Sequence, residues 1–425
     1  MHTRFSIGLF QDFKFERTPN LETLLVAIAA FGLMLTRPTA AGSNFTPLGI
    51  GIIVAATGTM LLISGATGKL ALTLRSAQIW AMIALAIYYA CLIMSGRPYQ
   101  QDQLSKAIGI LLAGSLLGFC VMASERRQKV LYDSLARIIV CISASTIITV
   151  ALLVLGAGIS KLAYARLDYG YPSPAGTILF PFSMIYNYAP TPLGVLPRLS
   201  GGFREVGIFP AFACWAAAYA AFRRWSTLSV AICLIAAVAS FSTLGAMLAL
   251  VTLGGIAARA SRIPGWALIL AAPVLAVTVL AVTYNLPYIG LGYKYTQVNT
   301  SFAERAYSTF SALDTRNPLI GEEPSGLRNT GINLISSISS IGIIGVSIVL
   351  SGMMPALRKV KYFIAALLPL TITALFSQPI ATEPLFLLLF ASWRVFDEGG
   401  NRTNEQAKHA RRHTHTALKR HLPTT

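Results

Sequence analysis

The chain has 425 residues, of which 55% are hydrophobic and only 12% charged, and its mean hydropathy is +0.63. This apolar content exceeds what a soluble core of that size can bury, so the composition excludes an ordinary soluble protein and indicates a membrane protein. The net charge of +18 does not indicate nucleic acid as a partner, because the cations lie between apolar runs and not in clusters on polar elements.

Apolar stretches bounded by charge, proline or glycine predict an all-α fold of about twelve membrane-spanning helices, in a single polytopic domain of residues 1–396. The polar run "SFSTLG" predicts a break between the seventh and eighth spans, since a break in lipid must be surrounded by protein or water. Residues 397–425 predict a basic, disordered tail. The predicted spans lie near 21–36, 48–64, 77–95, 104–123, 135–157, 206–222, 226–240, 243–258, 264–284, 331–352, 361–377 and 380–396.

The cations predict the orientation of these spans. If the N-terminus is cytoplasmic, 23 of the 34 Lys and Arg residues fall on the inner side, so the positive-inside rule predicts that both termini are cytoplasmic. Three more lie in short outside loops, and the last eight lie in two long outside loops, about 158–205 and 285–330. The topology rule does not require cations there, so these two loops are the expected place for chemistry.

The first outside loop ends in "PRLSGGFREVGIF", which leads directly into the sixth span. Six prolines before Gly201 exclude a long regular helix. Gly201 and Gly202 allow the tight turns that would bring Arg198 and Arg204 to one anion. Glu205 is a candidate general base, with the alternative that it is only a helix-start anion paired with Arg204.

The second outside loop contains "SFAERAYSTFSALDTRNPLIG", in which Ser301 and Glu304 fit a capping box at the start of a helix. The capping box already explains Glu304, which favours a cap over a catalyst. Arg305 and Arg316 are eleven positions apart and so lie on nearly the same helical face. Arg328 closes the loop before the tenth span.

Several arginines on the outside of a membrane protein need an anionic partner, and the planar guanidinium suits phosphate oxygens. The alternative is that they reach lipid phosphates or pair with nearby acids. Eleven of the sixteen tyrosines also lie in outside segments, where aromatic rings with polar tips suit sugars. Together the arginines and tyrosines predict a lipid-linked saccharide as substrate, with the lipid bilayer as surroundings.

The stretch "PRLSGGFREVGIFPAFACW" resembles the O-antigen polymerase and ligase superfamily, whose members carry an Arg-x-x-Gly-x-Phe-x-Glu-x-Gly-like motif leading into a helix. Three further stretches match in order: "FSTLGA", the second outside loop, and "NLISSISSIGIIGV", so the resemblance covers about Arg198 to Gly345. It implies a GT-C-like glycosyltransferase of the bacterial inner membrane, acting at the outer face on undecaprenyl-pyrophosphate-linked glycans. A chain-length regulator is a candidate partner.

Carried over to this chain, the resemblance matches Arg198, Arg204 and Glu205 to the first-loop motif and Arg305 to the arginine of the second loop. We expect Glu205 and Arg204 to be catalytic and Arg198 and Arg305 to bind the pyrophosphate, together with Arg316 and Arg328 from the set of outside arginines. Ligases of this superfamily resemble one another in a His-Asn pair at the end of the second loop, where this chain reads "GLRNTGIN". All five histidines are near the chain ends, so the sequence favours a polymerase over a ligase. No cofactor and no metal site are expected.

Two alternatives to the polymerase stay open at this stage. One is the O-antigen ligase. The other is a lipid-linked oligosaccharide flippase or secondary transporter, which requires ionisable residues at mid-membrane. The predicted spans are nearly free of acids, with Glu383 in the last span as the main exception. For the transferase, Glu205 is the first candidate base, with Asp168 or Glu304 in reserve.

Overall fold

The computed structural model describes residues 20–67, 77–96, 101–168, 170–191, 194–260, 317–322 and 333–391, with a few short stretches between 264 and 293. This part of the chain is mostly helical. Its helices are α1 (Leu21–Met34), α2 (Gly42–Ala66), α3 (Ala77–Met94), α4 (Gln101–Met122), α5 (Glu125–Val154), the single turn α6 (Ile159–Leu162), α7 (Ile208–Phe222), α8 (Thr227–Ala239), α9 (Thr243–Ala260), α10 (Ile338–Met353), α11 (Val360–Phe376) and α12 (Pro384–Ala391).

Five segments are long and apolar enough to cross a membrane, namely α2, α3, α4, α5 and Ile338–Arg358, which is α10 with the turn that follows it. Five shorter apolar helices, α1, α7, α8, α9 and α11, accompany them. Every predicted span except the ninth overlaps one of the described helices. The ninth, near 264–284, lies mostly outside the described residues, as does the predicted tail, so the full number of crossings stays a prediction.

The break predicted between the seventh and eighth spans is confirmed. Helix α8 ends at Ala239 and α9 begins at Thr243, and Phe241 between them has a φ of 53°. The two helices then pack closely, because a Cβ on Gly245 would lie 2.3 Å from the carbonyl oxygen of Ala237. Both side chains flanking Phe241, Ser240 and Ser242, are buried within protein, as the need to satisfy backbone groups requires.

The expectation of an all-α fold is wrong for the first outside loop. This loop forms a four-stranded antiparallel sheet in the order β1-β2-β3-β4, because its prolines prevent helix while its β-branched and aromatic residues favour strands. Leu162, Leu179, Ile185 and Leu199 form a small core between the sheet and the end of α5. The strands are β1 (Ala163–Arg166), β2 (Thr177–Leu179), β3 (Ser183–Thr191) and β4 (Gly194–Leu199).

Helix α7 is the centre of the bundle. Fourteen of its 15 residues are buried, and it packs against α5, α8, α9 and α11. A helix that is apolar all round belongs in such a position. The rings of Trp215 and Tyr219 stack at 5.4 Å between centroids, and Tyr132 of α5 packs 6.1 Å from Trp215. The loop that precedes α7 is therefore attached to the most constrained helix of the structure.

The connections between helices gather at two ends of the bundle. At one end, called the sheet end, lie the sheet, the α1–α2 connection, the α11–α12 connection and residues 317–322. At the opposite end, Arg127 of α5 donates from Nε to Glu22 Oε1 of α1 at 2.7 Å and from Nη2 to Ser64 Oγ of α2 at 2.8 Å. Successive connections thus alternate between the two ends of the bundle, as the predicted topology requires, and the sheet end corresponds to the predicted outside. The assignment of either end to the cytoplasm stays a prediction.

Replacing Gly114 of α4 by alanine should destabilise the bundle. A Cβ there would lie 2.6 Å from Pro384 Cβ at the start of α12, and overpacking of this kind costs about 1–3 kcal/mol. Gly109→Ala on the same helix is the control, since its Cβ would meet only Ile50 Cδ1, at 3.6 Å. Thermal unfolding in detergent should give a lower midpoint for Gly114→Ala than for Gly109→Ala; equal midpoints would contradict this packing.

Candidate functional site

A short backbone bridge joins the α1–α2 connection to the segment that precedes α7. The Ala40 N–H donates to the Gly202 carbonyl at 3.0 Å, the Arg204 N–H donates to the Pro38 carbonyl at 3.2 Å, and Thr39 pairs with Phe203 as an isolated antiparallel bridge. Segments 38–40 and 202–204, called here the 38–204 bridge, therefore run side by side. Arg37 and Arg204, at the ends of these segments, become neighbours although 167 positions separate them in the chain.

Gly201 lets the chain turn from β4 into this bridge. Its φ is +59°, a left-handed conformation that glycine adopts without strain, and a Cβ there would lie 2.8 Å from Ile142 Cγ2 of α5. Its carbonyl accepts a hydrogen bond from the Met184 N–H of β3 at 2.8 Å. The tight turn predicted for this glycine pair is thus confirmed at Gly201.

Two cations lie near each other at the bridge. Burial and, next, the positive charge of Arg204 lower the pKa of Arg37, although its guanidinium stays protonated at physiological pH. The Arg204 Nε is buried without a hydrogen-bond partner, and its Cζ lies 6.0 Å from the centroid of the Tyr171 ring. Within the described ranges neither guanidinium forms an ion pair. Two neighbouring guanidiniums without a direct ion pair can together bind an anion with several oxygens.

Glu205 is held by a tyrosine. The Tyr171 hydroxyl donates to Glu205 Oε1 at 2.8 Å, and the carbonyl of Glu205 accepts from the N–H of Ile208, the first residue of α7, at 3.1 Å. Burial, followed by the charge of Glu205 and this hydrogen bond, raises the pKa of Tyr171, so the hydroxyl remains a donor. The predicted position of Glu205 at a helix start is confirmed, and its role as a base stays a prediction.

Glu383 is the second carboxylate at this site. It lies at the start of the last described helix, because α12 begins at Pro384 and Glu383 ends the α11–α12 connection at the sheet end. Its carbonyl accepts the first helical hydrogen bond, from Leu387 N–H at 3.0 Å. Its side chain interacts electrostatically with Arg37 and Arg204. Burial raises the pKa of Glu383 to about 7, against the opposing effect of the two arginines.

These five residues, Arg37, Tyr171, Arg204, Glu205 and Glu383, are called here the arginine–glutamate cluster. Sequence reasoning identified Arg204 and Glu205 and missed Arg37 and Glu383 as members of one site. Arg37 follows the first span and precedes a proline, and Glu383 precedes a proline at the start of the last helix. The sequence signal shared by both residues was a charged residue next to a proline at the end of a predicted span. This signal does not indicate which span ends lie close together in the fold.

Of the other predicted arginines, Arg198 is the one that lies in the described part of the chain. Arg198 lies on β4, where its Nη1 is 3.5 Å from Asn187 Oδ1 on β3, opposite it in the sheet. Arg305, Arg316 and Arg328 lie outside the described residues. Asp168, the reserve base, is exposed, and its Oδ1 accepts from the Gly170 N–H at 3.2 Å as part of a turn.

In the part of the chain that the structure describes, there is no group of three or more His, Cys, Asp or Glu side chains that could hold a metal ion. No family model, no curated protein and no solved structure matches this chain.

Replacing Gly42 by alanine should disrupt the cluster from outside it. A Cβ on Gly42 would lie 2.3 Å from the backbone nitrogen of Arg37, so the α1–α2 connection would have to move. We expect a loss of stability of about 1–3 kcal/mol or more, measured by thermal unfolding in detergent. Gly51→Ala, on the exposed side of the same helix with no atom within 4 Å of its Cβ, should leave the midpoint unchanged. A Gly42→Ala protein as stable as Gly51→Ala would contradict the described connection.

Glu383 should make stability depend on pH. The folded protein keeps this proton up to about pH 7, whereas a glutamate in the unfolded chain loses it near pH 4.5. The contribution is therefore present below pH 4.5 and is lost as pH rises through about 7, with a magnitude on the order of 1–3 kcal/mol. Unfolding midpoints from pH 5 to 8 should fall less for Glu383→Gln than for the wild type. Parallel curves for the two proteins would show that Glu383 titrates normally.

Proposed function

We propose that this protein is a polysaccharide repeat-unit polymerase, a metal-independent membrane glycosyltransferase. It transfers a glycan from undecaprenyl pyrophosphate to a sugar hydroxyl of another lipid-linked repeat unit. The observation that carries this proposal is the pairing of Arg37 and Arg204 across the 38–204 bridge. Two guanidiniums that repel each other and have no ion-pair partner in the described part of the chain would be stabilised by an anion between them.

A pyrophosphate is the anion that fits this arrangement best. It carries several charged oxygens, so each guanidinium can form two parallel hydrogen bonds with it. When the glycosidic bond breaks, negative charge develops on the leaving phosphate. Fixed cations next to that oxygen lower the barrier, because they need not reorganise during the reaction. The N-terminus of α7 also favours an anion at this site, since the N-terminus of a helix stabilises negative charge.

The surroundings of the cluster support a saccharide attached to a lipid. The Tyr171 ring packs edge-on against Tyr186 at 5.7 Å between centroids, and Tyr164 and Tyr188 are exposed on the same sheet. Such rings suit the apolar faces and hydroxyls of sugars. The cluster also lies at an end of a bundle of apolar helices, where the headgroup of a lipid substrate would be found.

The finer parts of the proposal come from the sequence. The resemblance to the polymerase and ligase superfamily supports a GT-C-like fold, undecaprenyl pyrophosphate as the lipid carrier, and the outer face of the bacterial inner membrane. The distribution of cations supports cytoplasmic termini. Arg198, Arg305, Arg316 and Arg328 are proposed as further contacts to the pyrophosphate. The polymerase is favoured over the ligase because no histidine occurs between residues 3 and 408.

The position of Glu383 weakens the alternative of a flippase or secondary transporter. That alternative relied on Glu383 as an ionisable group within the last span. In the structure it precedes α12 at the sheet end, beside the two arginines. A carboxylate placed there serves a site at one end of the bundle better than a pathway through its middle.

The test is chain lengthening in a strain that depends on the protein, and in proteoliposomes supplied with lipid-linked repeat units. Arg204→Lys and Arg37→Lys keep the charge but lose the planar fork, so each should shorten the products and reduce transfer at least about tenfold. Glu205→Gln should also reduce transfer. The exposed Arg358, at the far end of α10, provides the control Arg358→Lys, which should leave the product ladder unchanged.

Unchanged long-chain polysaccharide in both Arg204→Lys and Glu205→Gln would overturn this site assignment. Movement of substrate across the liposome membrane without any lengthening would instead favour the transporter.

A further inference from the structure

We propose that Glu383 accepts the proton from the attacking sugar hydroxyl, and that Glu205 acts as a positioning residue that holds Tyr171 beside Arg204. This inference rests on the proposed function and assigns a role within it that sequence reasoning gave to Glu205.

The two carboxylates have different surroundings. Glu205 Oε1 already accepts the Tyr171 hydroxyl at 2.8 Å, and Tyr171 in turn packs near the Arg204 guanidinium. Glu205 therefore holds the Tyr171 ring in place beside Arg204. The carboxylate of Glu383 accepts no hydrogen bond from any of the residues that the structure describes. Of the two groups, Glu383 is the one whose oxygens are available to a substrate.

Glu383 also has the position that the reaction needs. It comes from a third element of the chain, the α11–α12 connection, and it interacts with both arginines of the 38–204 bridge. A pyrophosphate between Arg37 and Arg204 would place the adjoining sugar carbon beside the cluster. A hydroxyl that attacks this carbon must release its proton to a nearby acceptor, which has to lie within about 3 Å of it.

The groups that interact electrostatically with Glu383 come from three other parts of the chain. Arg37 and Arg204 belong to two other connections, and Tyr89 of α3 approaches Glu383 while bonding to the Thr382 side chain. Burial keeps the pKa of Glu383 at about 7 in spite of the arginines, and a base works best with a pKa near the working pH. A bound pyrophosphate would offset the arginine charges and so make Glu383 a stronger proton acceptor. Substrate binding would then itself activate the base.

The acceptor hydroxyl oxygen forms a bond to the anomeric carbon of the donor glycan, and the bond from that carbon to the pyrophosphate oxygen breaks. The electron pair of the broken bond leaves with undecaprenyl pyrophosphate, whose new charge faces the arginines. The hydroxyl proton passes to the Glu383 carboxylate and is released to solvent or to the departing pyrophosphate before the next cycle.

The experiment is steady-state transfer by the full-length protein in proteoliposomes, with kcat and KM for the lipid-linked repeat unit measured from pH 5.5 to 8.5. The wild-type rate should rise with pH through about 7 as Glu383 ionises. For Glu383→Gln we expect kcat to fall about 10²- to 10⁴-fold, with KM within threefold of wild type and no remaining rise near pH 7. Glu383→Asp should retain part of the rate and a rise with pH.

The companion variants separate catalysis from positioning. Glu205→Gln should raise KM more than it lowers kcat, and it should keep the rise with pH. The exposed Asp102, at the start of α4 and outside the cluster, gives the control Asp102→Asn, which should behave as wild type. Size-exclusion profiles and unfolding midpoints establish that each variant is folded. If Glu383→Gln does not fold, Glu383→Asp decides: a wild-type kcat with an unshifted pH profile would overturn the proposal.

The outcomes distinguish this inference from the function on which it rests. A wild-type protein that transfers no glycan refutes the proposed function. An active wild type together with a Glu383→Gln variant within threefold of its kcat, and with the same pH profile, overturns the role of Glu383 alone. So does a variant in which only KM rises, because that result identifies Glu383 as a counter-ion of the arginines.

Discussion

The structure of the site depends on one backbone interaction, the 38–204 bridge. Its two hydrogen bonds and one β-bridge are short-range, but they join the first helical hairpin to the start of the central helix. Burial lowers the pKa of Arg37, and repulsion by the nearby positive charge of Arg204 lowers it further. Packing holds the two like charges together: the α1–α2 connection passes too close to Gly42 to leave room for a Cβ there, and Gly201 is confined between α5 and α7. Because the fold keeps the two guanidiniums close in spite of their repulsion, an anion that binds between them would relieve that repulsion.

The central helix restricts the movement of the residues that form this site. Helix α7 is buried on all sides, so the residues that precede it have little freedom to move. Catalysis by fixed charges needs such rigidity, because a charge that has to reorganise during the reaction stabilises the transition state less. The α11–α12 connection adds Glu383 to the same end of the bundle, and it is held there by the contact of Pro384 with Gly114 of α4. Cations and carboxylates thus come from three separate parts of the chain.

The fold was partly predictable. Long apolar runs predicted the helices well, because burying twenty apolar residues in lipid leaves helix as the main way to satisfy the backbone. The "SFSTLG" break was predictable for the same reason. The sheet was not predicted: prolines excluded a helix between residues 163 and 200, but its strands are short and stabilised by a small core that includes side chains of α5. Strand pairing depends on such tertiary contacts more than on local propensity.

By itself, the sequence determined that the chain is apolar and helical, where its helices break, and that an arginine and a glutamate stand at the start of a helix after two glycines. Composition and local backbone geometry carry that information. Only the tertiary structure decided that Arg37 joins Arg204, that Tyr171 binds Glu205 and that Glu383 lies outside the last helix next to both arginines. These pairs are separated by 34 to 346 positions in the chain, and no local pattern encodes which loop ends meet. These charged groups can act on one substrate only because the fold brings them close together, since electrostatic interactions depend on distance and burial.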